Sequence, residues 1–116
     1  MLADDYQREA HKTSCYGVAV MESGKTMVDW LYPALGLSEE AGEVAGKFAK
    51  AVRDCNGVID EERQQAIIKE LGDVLWFVAE IALLMNTPLS EVMEKNLAKL
   101  KSRAERGVIH GSGDNR

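Results

Sequence analysis

Residues 71–85 read L-G-D-V-L-W-F-V-A-E-I-A-L-L-M. Apolar side chains cover nearly every angular position of this segment, which predicts a helix buried on all sides or sandwiched between its own bundle and a second subunit. Asp73 interrupts the segment, and Glu70 lies one turn earlier on the same face. An unpaired carboxylate in such surroundings is costly, so both must be neutralised, ion-paired or metal-bound.

The rest of the chain divides into four predicted helices and no convincing strand. The boundaries fall at about residues 2–13, from Asp29 or Tyr32 to Asp54, from 61 to about Met85, and from Pro88 to about Arg106. Residues 14–28 hold two glycines and predict a loop or a broken helical turn. We therefore expect an all-α protein, an antiparallel bundle of about four helices assembled as a homo-oligomer.

Local signals mark the ends of these helices. The predicted caps are Asp60 for the third helix and Thr87 for the fourth, which Pro88 opens. Pro33 suits the first turn of the second helix, and Gly57 suits a left-handed cap after it.

Length and charge limit the classes of function. The chain of 116 residues predicts one domain over 1–116, with a glycine-rich tail over 105–116. Its formal charge is −5, with 19 acidic and 14 basic residues, which disfavours a nucleic-acid partner. The longest apolar run is six residues, Val74 to Ala79, which excludes a membrane span, and no secretion signal is evident. Cys15 and Cys55 are expected to be reduced thiols of a cytoplasmic protein.

A second acidic pair, Glu40 and Glu43, lies on the second helix with the same spacing of three. Glu40 borders an apolar stripe that is expected to form the core, whereas Lys47 lies further round on the polar side. A short loop between the helices allows an antiparallel hairpin that brings the two pairs opposite one another. The stripe comprises Leu37, Ala41, Val44, Phe48, Val52 and Cys55.

Four converging carboxylates without histidine or cysteine form an oxygen-only site. Such a site suits Mg²⁺ or Mn²⁺ rather than zinc or copper. Solvated acidic faces or ion pairs with Lys or Arg are the alternative interpretation of the two pairs.

At these positions the sequence resembles a known family. E-A-G-E at 40–43 followed by E-L-G-D at 70–73 is similar to the ExxE…ExxD signature of the MazG-like all-α nucleoside triphosphate pyrophosphohydrolases. The flanks 35–44 and 70–76 agree, as do 96–100 with Arg103, 106–107 and 113–116. The resemblance covers about residues 30–116.

The resemblance implies a Mg²⁺-dependent hydrolase, with Mn²⁺ as a substitute, that cleaves a (deoxy)nucleoside triphosphate to the monophosphate and pyrophosphate by water attack. Nucleotide-pool housekeeping is the role it implies. Glu40, Glu43, Glu70 and Asp73 would be the metal ligands. Glu40 would be the general base, with Glu39 or Glu43 as alternatives.

Phosphate groups also need cationic donors. Asn96, Lys99 and Arg103 share one face of the fourth helix and are expected to border its apolar stripe and to bind substrate. Lys47, one turn after Glu43, is a further candidate. A basic helix end that balances the helix dipole is the alternative. The apolar stripe comprises Leu89, Met93, Leu97 and Leu100.

Several alternatives remain open at this level. The tail could expose the amides of residues 111–113 to a phosphate, with Arg116 reaching it, or be a frayed polar terminus. The substrate could be of the phosphoribosyl-ATP or dUTP type, or the chain could be a non-catalytic helical interaction module. The lack of a polar face on the third helix predicts a homodimer or homotetramer.

Overall fold

The computed structural model describes residues 1–15 and 27–116, with the side chains of 27–30 outside the described set. This part of the chain contains four helices and no strand: α1 (Ala3–His11), α2 (Met27–Cys55), α3 (Glu61–Leu84) and α4 (Leu89–Glu105). The prediction of an all-α fold is therefore confirmed. The loop predicted over 14–28 falls largely on residues 16–26, outside the described residues.

Helices α2 and α3 form an antiparallel hairpin, the most extensive helix pairing in the described chain. After α2, Asn56 and Gly57 adopt positive φ values of 54° and 78°, and the Gly57 N–H donates to the Ala51 carbonyl at 2.9 Å. This left-handed pair ends the helix and reverses the chain. Asp60 then caps α3 by accepting the Arg63 N–H at 2.9 Å. Both capping predictions are confirmed.

The start of α2 differs from the prediction. The helix begins at Met27, so Pro33 lies inside it rather than in its first turn. A proline there removes one N–H donor from the helix, but its ring is fully buried. One turn on, Gly36 lies directly against the ring of Phe77 on α3, and a β-carbon at this position would overlap that ring. The glycine therefore sets how closely the two helices approach.

Helix α1 crosses α3 and α4 and is attached by polar contacts. The Trp76 indole N–H donates to the Ala10 carbonyl at 3.2 Å and to the Thr13 hydroxyl at 2.9 Å. The buried Gln7 amide donates to the carbonyls of Ala79 at 3.3 Å and Thr87 at 3.1 Å. Its Oε1 accepts the N–H of Leu89 at 3.2 Å. One glutamine thus joins α1 to the junction between α3 and α4.

The cap of α4 also comes from α1, which corrects the prediction for Thr87. The Thr87 hydroxyl donates back to the Met85 carbonyl, and Pro88 occupies the capping position without a side-chain bond of its own. Asp4 accepts the Ser90 N–H and the Ser90 hydroxyl, each at 2.8 Å. The free N–H of Ser90 at the start of α4 is therefore satisfied by a residue 86 positions away in sequence.

The predicted apolar stripes are only partly buried by this chain. On α2, Phe48 is 47% and Val52 68% exposed, whereas Ala51 is fully buried. On α4, Leu89 is buried, but Met93, Leu97 and Leu100 are exposed. The expectation that these stripes form the core of one chain therefore holds only in part. On α2, Gly36 and Lys47 contact α3, and each lies one position before a stripe residue, Leu37 or Phe48.

Candidate metal centre

Three acidic side chains of the hairpin converge on one point. One carboxylate oxygen each from Glu40, Glu70 and Asp73 lies within 4.8 Å of the other two. Glu40 and Glu70 are half-buried and Asp73 is exposed. The two neighbouring turns of α3 and one turn of α2 therefore present their charges to the same small volume.

The face of α2 that meets α3 explains this convergence. It includes small or polar residues that recur at helical spacings: Gly36, Glu40, Lys47 and Ala51. These residues repeat on one side of a helix, and Gly36 allows the close approach to α3. Glu40 consequently lies on the contact face itself rather than beside it.

The environment of Glu40 favours its protonated form. Partial desolvation raises the pKa of the Glu40 carboxyl above its usual range, and the negative charges of Asp73, Glu39, Glu70 and Glu43 raise it further. A carboxyl held in this way gains from any cation that is placed among its acidic neighbours.

Lys47 contributes the positive charge that the described structure places directly on this group. Its Nζ lies 3.0 Å from Oε1 of Glu70, and the two side chains are 30% and 18% exposed. The prediction that Lys47 lies on the polar side of α2 is wrong, because its position on the contact face points it at α3. One ammonium beside three carboxylates leaves the group net negative.

Glu43, the fourth predicted ligand, lies outside the group of three. It is exposed and lies one turn beyond Glu40. Its charge nevertheless reaches Glu40, whose pKa it helps to raise. Its role as a metal ligand stays a prediction.

Tyr6 on α1 is a neighbour of the centre that sequence reasoning missed. Burial raises the pKa of its phenol, and the charge of Asp73 raises it further. Helix α1 is weakly amphipathic and carries no motif, so the sequence offered no signal for this proximity.

The predicted substrate residues of α4 lie apart from the three carboxylates. Among the described helices, α4 contacts α1 and α3 but not α2. Asn96 is exposed, Lys99 lies 2.9 Å from Oδ1 of Asp114, and the buried Arg103 donates to the Asp114 carbonyl at 2.6 Å. The chain's own tail therefore occupies both cations, and their roles toward substrate stay predictions.

The donor set fits a hard divalent cation. All three groups are carboxylates, they are close enough to share one ion, and together they exceed the positive charge beside them. The residues best placed to hold such an ion are Glu40, Glu70 and Asp73.

Comparison with known proteins identifies the family of this chain. The model of the MazG nucleotide pyrophosphohydrolase domain family matches residues 32–108, a range that contains all three carboxylates. The chain belongs to the MazG family. This MazG chain is also 45% identical over 117 residues to the Gene 37 protein of Mycobacterium phage L5, across the full length of both. The name of the phage protein carries no functional information, and no solved structure gives a significant match.

Membership of the MazG family makes this chain a relative of nucleotide pyrophosphohydrolases, hydrolases that act on nucleotide phosphoanhydrides. Within the described residues of the MazG chain, no helix has both the length and the apolar composition needed to cross a bilayer.

Proposed function

We propose that this MazG chain is a Mg²⁺-dependent nucleoside triphosphate pyrophosphohydrolase. Water adds across the α–β phosphoanhydride, the bond from the bridging oxygen to one phosphorus breaks, and the monophosphate and pyrophosphate leave. The observation that carries this proposal is the convergence of Glu40, Glu70 and Asp73 within the family match.

Charge explains why a divalent cation belongs in this proposal. A triphosphate and three carboxylates repel one another, and Lys47 offsets only one negative charge. Mg²⁺ held by these residues would supply the positive charge that the phosphate groups and the transition state need. Glu40, Glu70 and Asp73 would hold it, with Glu43 as a further ligand and Mn²⁺ as a substitute.

Glu40 is the general base that we favour. It lies within the carboxylate group, on the face of α2 that meets α3, where it could accept a proton from water beside the bound cation. Lys47, beside Glu70, would contact the phosphates from the same hairpin.

A homo-oligomer would complete the site. Large apolar side chains of α2 and α4 are exposed in this chain, among them Phe48, Val52 and Leu97. Packing against a second copy would bury them and could bring Asn96, Lys99 and Arg103 of that copy toward a bound triphosphate. We propose a homodimer or homotetramer on this basis.

We place this activity in the cytoplasm, in nucleotide-pool housekeeping. Both cysteines are free thiols in the described chain, which is in keeping with a reducing compartment.

The test is pyrophosphate release from a panel of ribo- and deoxynucleoside triphosphates, with Mg²⁺ and with a chelator. We expect Mg²⁺-dependent release from at least one nucleotide, and its loss in Glu70→Gln. Glu94→Gln, an exposed acid on α4, is the matched control and should keep full activity.

The rival function is a non-catalytic helical interaction module with a purely structural ion pair. It would give no release from any nucleotide, and equal behaviour of Glu70→Gln and Glu94→Gln. Phosphoribosyl-ATP and dUTP belong in the panel, because a related pyrophosphohydrolase would share the same carboxylates.

A further inference from the structure

Arginine side chains donate hydrogen bonds to the backbone carbonyls of the glycine-rich tail. The Arg116 guanidinium donates to the carbonyls of Val108 at 3.2 Å, Ile109 at 3.0 Å and Gly113 at 2.6 Å. Arg103 donates to the Asp114 carbonyl at 2.6 Å, and Arg106 to that of Arg116 at 2.9 Å. Five carbonyls between 108 and 116 thus accept from guanidinium groups, so the tail is a folded cap on α4.

Most backbone N–H groups of the same segment, unlike these carbonyls, make no hydrogen bonds in the described chain. The N–H groups of residues 109–115 donate to no acceptor in the described chain, and all seven residues are exposed. Gly111 and Gly113 have φ values of 121° and 89°, and Ser112 between them keeps a negative φ. The negative φ of Ser112 followed by the positive φ of Gly113 has the signs of the αR–αL pair whose successive N–H groups form an anion-binding nest.

The electrostatic surroundings of the cap favour an anion. Lys99, Arg103, Arg106 and Arg116 contact the tail, whereas Asp114 is the sole acidic side chain between 107 and 116. Lys99 and Arg103 already neutralise Asp114, whose pKa they lower, Lys99 most strongly. The Nε of Arg103 is buried without a hydrogen-bond partner, so the guanidinium retains unused donor capacity.

We propose that the tail cap binds a phosphate oxyanion through the backbone amides of residues 109–115. These amides are exposed and make no hydrogen bond within the described residues, five tail carbonyls already accept from guanidinium groups, and the arginines supply a positive field. Two sources share this chemistry: free pyrophosphate, or the triphosphate of a nucleotide held by a second copy. The second source rests on the proposed function, whereas the first does not.

The experiment follows the backbone amide signals of the ¹⁵N-labelled full chain during titration. The first arm adds inorganic pyrophosphate with a chelator present, so that the carboxylate centre holds no divalent cation. The second arm adds a nucleoside triphosphate with Mg²⁺ to Glu70→Gln, which the proposed function expects to be inactive. We expect saturable shifts of the amides of 109–115 in the first arm if the source is free pyrophosphate, and in the second arm alone if it is substrate.

Residue 112 offers a matched pair of variants. Ser112→Pro removes one N–H and should weaken binding about tenfold, the effect of one charge-assisted hydrogen bond. Ser112→Ala keeps the N–H, loses only the hydroxyl, and should bind like the natural chain. Arg116→Gln removes one positive charge and the hydrogen bonds that the guanidinium donates to the tail carbonyls. It should also weaken binding.

The absence of saturable shifts at 109–115 in both arms would overturn the proposal. Shifts confined to lysine and arginine side chains would do so too, because they would show a general cationic surface. Binding by Ser112→Ala that is as weak as binding by Ser112→Pro would assign the contact to the hydroxyl, which both variants lack, and not to the amide. None of these outcomes bears on whether Glu70 is required for pyrophosphate release, so the two proposals fail separately.

Discussion

The Nζ of Lys47 lies 3.0 Å from Oε1 of Glu70, across the α2–α3 hairpin and beside two further carboxylates. The only ammonium that the described structure pairs with this group therefore comes from the same helix as Glu40. A metal ion at the centre would take over much of its neutralising role.

Lys47→Met should lower the stability of the metal-free chain by about 1 kcal/mol, the value of a partly exposed ion pair. Three carboxylates then lack their cation, so Mg²⁺ should raise the melting temperature more than it does in the natural chain. Thermal unfolding with chelator and with Mg²⁺ measures both effects. Lys50→Met, an exposed lysine on the same helix, is the control. Equal gains from Mg²⁺ in the two variants would contradict the expectation.

Glu40→Gln should stabilise the metal-free chain at neutral pH while abolishing turnover. The pKa of Glu40 is raised in the folded state, so between its ordinary and raised values the folded chain holds more protons than the unfolded chain. Stability therefore falls as pH rises through this window, and a neutral amide removes that loss. Melting temperature as a function of pH in chelator measures it. A flat profile for the natural chain, matching Glu40→Gln, would be inconsistent with the assigned shift.

Gly36→Ala should destabilise the chain by several kcal/mol and should reduce metal affinity, because the added carbon overlaps the Phe77 ring and separates α2 from α3. Gly46→Ala is the matched control, since nothing lies within 4 Å of its added carbon. This control should gain about 0.5–1 kcal/mol from the better helix propensity of alanine. Urea unfolding measures both, and Phe77→Leu should partly rescue Gly36→Ala. Equal stability of the two alanine variants would show that the approach of the helices is not limited at Gly36.

The contact between Asp4 and Ser90 at the start of α4 predicts how the stability of the chain changes in acid. Hydrogen bonds from Ser90, first from its N–H and then from its hydroxyl, lower the pKa of Asp4. Its contribution to stability is therefore present above the ordinary pKa of an aspartate and is lost as pH falls through the lowered value. Asp4→Asn should be less stable at neutral pH and should lose less on acidification. Asp5→Asn, which removes an exposed ion pair with Arg8 and alters a long 3.4 Å hydrogen bond from the Leu2 N–H, should behave like the natural chain in urea unfolding across pH.

Leu97→Asp should shift the chain toward a smaller assembly in light scattering, with its helix content unchanged by circular dichroism. Leu97 is 66% exposed in one chain, so a charge there costs a monomer little but disrupts an apolar interface. Lys101→Asp, at an exposed polar position on the same helix, is the control. If both variants keep the mass of the natural protein, α4 takes no part in assembly.

Much of the hairpin could be predicted because its signals are local. Asp60 and Gly57 define the turn, and the spacing of Glu70 and Asp73 within an apolar helix indicates a site. The direction of Lys47 and the separation of Glu43 from the group could not be predicted, because they depend on which face of α2 meets α3. Gly36 allows that face to approach α3 closely, but the sequence does not distinguish this glycine from any other glycine in a helix.

The α4 stripe shows a second limit of sequence reasoning. Leu89, Met93, Leu97 and Leu100 follow a helical period, and all four predict burial, yet only Leu89 is buried by this chain. Periodicity shows that a face avoids water, but it does not show whether the same chain or another copy covers it. The capping contact between Asp4 and Ser90 could not be predicted from the sequence either, because it joins residues 86 positions apart.

The attachment of α1 has a consequence for what counts as the smallest unit able to fold. The family match begins at residue 32, after α1 has ended. A fragment trimmed to that match would lose Gln7 and Asp4, which satisfy backbone groups at Ala79, Thr87, Leu89 and Ser90. The range of the family model and the set of residues joined by these hydrogen bonds therefore have different borders in this protein, and the nine residues of α1 belong only to the second.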